Sequence, residues 1–191
     1  MRAASIVILA SGEGSLAEAL IHMELENAPY SVAALVTDRS NINVLKRAAT
    51  MATPAVVVDF NSFAERRDWE SELASIVASY DPWLVVSAGF MRILSPRFLA
   101  QFKVINSHPS LLPLFPGMHA VADALAAGVE ETGCTVHLVD SGVDTGPVLA
   151  QRKVRIATDD NATTLHERIK EIERVLLPEV VAELARAREN K

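Results

Sequence analysis

Short apolar runs alternate with amphipathic stretches along the first half of the chain. Ser5–Ala10 (SIVILA) is a β-branched run bounded by polar and glycine positions, the form of a strand covered on both faces. From Ser15 the apolar positions Leu16, Ala19, Leu20 and Met23 recur at helical spacing. The pattern then predicts a strand over 32–36, a helix over 41–51 and a strand over 55–58. Trp69, Leu73, Ile76 and Val77 predict a helix over 63–80, stopped by Asp81-Pro82 before a strand at 83–86.

Strands alternating with helices imply a parallel sheet with right-handed crossovers, whose ligands bind beyond the carboxyl ends of the strands. The second half of the chain departs from that rhythm. A strand at 104–106 enters a proline-rich loop with Pro109, Pro113 and Pro116, and a helix over 119–127 follows. Strands at 134–139 and 148–156 are joined by the turn 140–147, too short for a parallel crossover, so they pair antiparallel. An amphipathic helix over 163–186 closes the chain, with a kink or break expected at Pro178. The fold expected is α/β, Rossmann-like and doubly wound. It has a mostly parallel sheet, antiparallel strands in the C-terminal half and a long C-terminal helix, in one domain over 1–191.

Composition narrows the function. Eighteen basic against 24 acidic side chains give a net charge of -6, so no cationic field gathers nucleic acid. Cys134 is the only cysteine, which excludes an internal disulfide or a CxxC pair and fits a reducing compartment. The first apolar run is too short for a secretory signal, and no stretch approaches the roughly 20 residues that span a bilayer. A cytoplasmic protein without a membrane partner is expected. With no HExxH and no close histidine pair, no metal site is expected either.

Three places carry candidate chemistry. The loop Ser11–Ser15 joins a strand to a helix, where backbone N–H groups and the helix dipole favour an anion. Gly12, Gly14 and Ala17 also satisfy GxGxxG/A, with Asp38 26 residues after Gly12 as a distant ribose-binding acid, so a dinucleotide site competes with a phosphate site and with a plain tight turn. In Asn106–Pro113 (NSHPSLLP) an amide and an imidazole stand two residues apart, on one face of extended chain. Asn106 there would donate to a developing oxyanion and His108 would stabilise or protonate it. Asp144, in the loop 144–147 (DTGP), would orient His108 and raise its pKa. His137, within an apolar strand, reads as a satisfied core residue, and His119 as a helix cap. Lys170 and Glu173, three apart on the last helix, read as a solvated pair unless that face meets the first loop. No GxSxG elbow is present and nothing activates Cys134.

At residues 12–15 (GEGS), 88–94 (AGFMRIL), 106–113 (NSHPSLLP) and 144–147 (DTGP) the sequence resembles the folate-dependent formyltransferases that act on phosphoribosylglycinamide, and the likeness spans the chain. The resemblance implies that the amine of glycinamide ribonucleotide attacks the formyl carbon of 10-formyltetrahydrofolate, through a tetrahedral intermediate, in purine synthesis. It implies catalytic roles for Asn106, His108 and Asp144. Gly14, Ser15 and the backbone of Leu16 would hold the ribonucleotide phosphate, Lys170 would add charge and Glu173 would reach the ribose. Leu16 stands where the family commonly has Asn, which removes a side-chain contact and leaves the backbone one. The folate would lie along Met91, Arg92, Ile93 and Leu94, beside Asn106 and the loop from Asp140 through Val143, with Arg66 near its acidic tail.

A formyltetrahydrofolate deformylase, using the same three residues on an attacking water, is the nearest competing activity. Methionyl-tRNA formyltransferase shares the catalytic pattern but carries a further RNA-binding domain and suits a less acidic chain. A non-catalytic nucleotide-binding module would use the glycine loop alone. The sequence leaves monomer and homodimer equally open.

Overall fold

A computed structural model describes residues 4–189. One seven-stranded sheet organises it, built from β1 (Ala4–Ala10), β2 (Tyr30–Thr37), β3 (Ala55–Val57), β4 (Leu84–Ser87), β5 (Val104–His108), β6 (Glu131–Leu138) and β7 (Val148–Arg155). The spatial order is β3-β2-β1-β4-β5-β6-β7. The first five strands are parallel, and β6 and β7 join antiparallel. The order reverses between β1 and β4, the switch point at which such sheets open a crevice beyond their carboxyl ends.

Alternation along the strands divides the core into two layers. Ile6 and Ile8 of β1 and Val86 of β4 face α1 (Ser15–Leu25) and α6 (Ala162–Glu189), whereas Val7, Leu9 and Val85 face α3 (Arg66–Ser79). Burial on both faces is what the unbroken apolar runs of β1 and β4 require. Trp69 and Leu73 of α3 are fully buried there, with the Trp69 indole N–H donating to the Val58 carbonyl at 2.9 Å. Helices α2 (Asn43–Thr50), α4 (Pro96–Leu99) and α5 (Ala120–Ala126) complete the chain.

Two helix expectations change. The segment before α3 forms a 3₁₀ turn over Phe60–Ser62, capped by Asp59, and the helix starts only at Arg66. Pro178 does not split α6, which continues to Glu189. Leu176 and Leu177 before the proline and Val180 and Val181 after it are all buried in the same layer. Packing on both sides thus outweighs the loss of one helical hydrogen bond.

Candidate active site

The strand ends place three loops side by side. At the switch point the Ser11 N–H donates to the Gly89 carbonyl at 3.2 Å, and the Met91 N–H donates to Ser11 Oγ at 2.9 Å. The loop after β1 and the loop after β4 are therefore one structure. Gly14 precedes α1 with φ +79, and a Cβ there would lie 2.4 Å from Val44 Cγ2, so glycine is required both by conformation and by the approach of α2. No side chain caps α1. Its first N–H groups, from Ser15 and Leu16, stand at the positive end of the helix dipole, where an anion is favoured. The Leu16 side chain is buried in the core, so this residue offers only its backbone.

Asn106 and His108 project from β5 on one face, as their two-residue spacing requires. Parallel pairing puts Ser87 of β4 beside Asn106, and antiparallel pairing puts His137 of β6 on its other side. The Ser87 hydroxyl donates to Asn106 Oδ1 at 2.8 Å, and Asn106 Nδ2 lies 3.4 Å from His137 Nε2. His108 is buried, with Nε2 2.9 Å from the Phe115 carbonyl and Nδ1 3.3 Å from Asp144 Oδ2. Each of its ring nitrogens thus faces an acceptor.

Asp144 ties the loops together. It has φ +55; its Oδ2 accepts the Gly117 N–H at 2.8 Å, and its Oδ1 lies 3.5 Å from His137 Nε2. Burial pushes its carboxyl pKa up, but the His137 contact, the Gly117 N–H and the charge of the two histidines outweigh burial and hold it below the usual aspartate range. The loop that presents it is internally braced, since Asp140 Oδ1 accepts from the Gly142 N–H at 3.0 Å and from Thr145 Oγ1 at 2.7 Å.

His137 is buried and satisfied, as expected, and the partners that satisfy it are Asn106, Asp144 and the Leu138 carbonyl, which sequence did not reveal. Its apolar neighbours in sequence concealed this, because the polar set is assembled across strands. Ser87 was missed for the same reason. His119 stands at the N-terminus of α5 without capping it through its side chain.

The pair on α6 also separates. Lys170 Nζ meets Glu167 Oε1 at 2.9 Å, while Glu173 turns inward, 4% exposed, and accepts from Ser107 Oγ at 2.6 Å. Burial pushes the Glu173 carboxyl up, against the opposing effects of Ser107, Lys170 and Arg174. Asp38, the acid of the dinucleotide pattern, is fully buried and accepts from Arg92 Nε at 2.7 Å, with the Arg92 guanidinium 4.0 Å over the Phe60 ring. That engagement removes it from any ribose. Cys134 is buried and its thiol is pushed up to about 12, mainly by burial, so no thiolate is available near neutrality.

In the loop after β4, Met91 and Ile93 are 67% and 62% exposed, and Val143 in the loop after β6 is 50% exposed. Arg66 reaches this segment from α3 and donates to the Ile93 carbonyl. Leu94 is buried among the side chains of α3 and α4, so it can meet a ligand only through its backbone, while Arg92 Nε is engaged by Asp38 and Asp140 Oδ1 by its own loop.

A glycine turn at the switch point, beside a half-buried amide and carboxylate and a buried imidazole, is the arrangement of an enzyme of the acyl-transfer type, and the similarity to known proteins agrees. A family model described as formyl transferase matches residues 4–181, and the chain belongs to that family. A phosphoribosylglycinamide formyltransferase of Mycobacterium tuberculosis is 48% identical over 184 residues, covering 95% of this chain and 85% of that protein. The crystal structure of glycinamide ribonucleotide transformylase 1 from Symbiobacterium toebii has a TM-score of 0.93 at 35% identity, covering 96% of this chain and 88% of that one. Its counterpart from Geobacillus kaustophilus has a TM-score of 0.91 at 38% identity, covering 96% of this chain and 100% of that one.

Proposed function

We propose that the chain transfers the formyl group of 10-formyltetrahydrofolate to the amine of glycinamide ribonucleotide, with Asn106, His108 and Asp144 as the catalytic residues of a single formyltransferase domain. One observation carries this assignment. Asp144, from the loop between β6 and β7, lies 3.3 Å from His108 at the end of β5, on the strand face that also carries Asn106.

As the amine nitrogen bonds to the formyl carbon, the carbonyl oxygen gains negative charge. Asn106 Nδ2 is one donor for that charge, and His108 Nε2 becomes the second when the oxyanion takes the place of the Phe115 carbonyl it now faces; preorganised donors of this kind contribute about 3–4 kcal/mol each. Asp144 orients His108 and, with its depressed pKa, stays ionised beside it to stabilise a positive imidazole. Breaking the bond between the formyl carbon and the folate nitrogen completes the transfer. The proton lost by the amine goes to that nitrogen through His108, Asp144 or water.

Gly14, Ser15 and Leu16 supply backbone donors for the ribonucleotide phosphate, Lys170 supplies charge and Glu173 an acceptor for ribose hydroxyls. The exposed apolar side chains of Met91, Ile93 and Val143 fit a flat folate ring, while the backbone of Arg92, Leu94 and Asp140 and the side chain of Arg66 meet its polar parts. Substrates this small, and a described chain with no helix long and apolar enough to cross a membrane, suit a cytoplasmic enzyme. The test is release of tetrahydrofolate with and without glycinamide ribonucleotide. Release only with the amine is expected. Release that ignores the amine would make the chain a deformylase, and no release in either case would leave only nucleotide binding.

A further inference from the structure

The catalytic amide raises a question of orientation. A primary amide has two ends of nearly equal shape and opposite hydrogen-bonding character, so Asn106 helps an oxyanion only if its NH₂ end faces the reacting carbon. Rotation by half a turn would present Oδ1 instead, and would repel the charge it is meant to stabilise.

Two side chains flank this amide. His137 Nδ1 lies 2.9 Å from the Leu138 carbonyl, which can only accept, so that nitrogen carries a hydrogen. Its Nε2 lies 3.4 Å from Asn106 Nδ2 and 3.5 Å from Asp144 Oδ1. Nε2 is thus shared between the amide and the Asp144 carboxylate, at nearly equal distances, and does not hold the NH₂ end by itself.

Ser87 has no such competing partner among its hydrogen bonds in the described residues. Its hydroxyl reaches Asn106 Oδ1 at 2.8 Å from the adjacent strand, in direct register, and is 6% exposed. Water offers little competition at that exposure. We propose that Ser87 is a positioning residue, which acts through Asn106 by fixing its amide with the NH₂ end toward the reacting carbon. This rests on the catalytic role of Asn106 set out above.

The experiment is a double-mutant cycle on the full chain, with kcat and KM measured for both substrates in Ser87→Ala, Asn106→Ala and the double variant. Loss of one neutral hydrogen bond predicts a kcat about three- to tenfold lower in Ser87→Ala, with both KM values within about twofold. In the Asn106→Ala background the same substitution should have no further effect on kcat, since the group it positions is gone. A merely structural serine would lower activity equally in both backgrounds, and that result would overturn the proposal. So would an unchanged kcat in Ser87→Ala when Asn106→Ala is strongly impaired. Wild-type turnover in Asn106→Ala would instead overturn the catalytic assignment itself, and this inference with it.

Discussion

Ser107, which stands between Asn106 and His108 in β5, donates its hydroxyl to Glu173 of α6 at 2.6 Å on the opposite face of the sheet. One strand thus presents the proposed catalytic pair to one side and anchors the ribose-binding candidate on the other.

Removing that anchor by Ser107→Ala should therefore separate binding from chemistry. Glu173 would lose a hydrogen bond in a buried setting, so KM for glycinamide ribonucleotide should rise about three- to tenfold, while kcat and KM for the folate change little. Steady-state kinetics with each substrate varied in turn would show it; an unchanged KM for the ribonucleotide would remove Glu173 from its site.

His108→Ala should lower kcat at least about 100-fold, the scale of one preorganised donor, with the far-ultraviolet circular dichroism unchanged. His108 lies at the end of β5, and its ring bonds to loop groups rather than to the core layers. Turnover at the parent rate would exclude it from the mechanism.

Two carboxyl groups give stability opposite pH dependences. Glu173 has a folded pKa raised by burial, so its contribution is whole below the usual glutamate range and is lost as pH rises through the raised value. Asp144 has a folded pKa that is lowered on balance; its contribution is present above the usual aspartate range and is lost as pH falls through the lowered value. Thermal midpoints across pH should show Glu173→Gln gaining on the parent protein as pH rises, and Asp144→Asn gaining on it in acid.

Gly146→Ala should damage activity from outside the reacting groups. A Cβ at Gly146 would lie 1.8 Å from the Leu138 carbonyl oxygen, an impossible contact that can be relieved only by shifting the loop holding Asp144. A kcat loss of at least about tenfold is expected, on the sensitivity of such geometry to small displacements. Parent-level kcat in a folded variant would contradict the dependence on this loop.

Arg92→Ala should destabilise the fold by about 1–3 kcal/mol, the cost of leaving a buried acceptor without its hydrogen bond, since Arg39 Nε stays 3.7 Å from Asp38 Oδ1. Asp38 is fully buried, Arg92 Nε lies 2.7 Å from its Oδ2, and its Oδ1 has no hydrogen-bond donor among the described residues. Denaturant unfolding would measure the loss, and a change under about 1 kcal/mol would mean that water reaches the carboxylate.

Much of this architecture was legible in the periodicities. The apolar runs of β1 and β4 and the helical spacing of Trp69, Leu73 and Val77 identified buried strands and an inward helix face, because one-dimensional spacing fixes which side chains share a face. Asn106 and His108 were readable as a pair for the same reason. Boundaries were less secure: the helix expected from 63 starts at Arg66, and Pro178 left α6 whole, since packing on both sides of it outweighed local preference.

Sequence alone determined the alternating strands and helices, the glycine turn before α1, and the amide and imidazole two residues apart on one strand. Only the tertiary structure decided that Ser87 and His137 flank that amide, that Asp144 closes on His108, and that Glu173 turns inward to Ser107. The reason is that spacing along a strand sets the direction of a side chain, whereas its partners come from strand order and register. Those are settled by the packing of the whole fold, which brings together residues as distant as Ser11 and Met91, 80 positions apart in the chain.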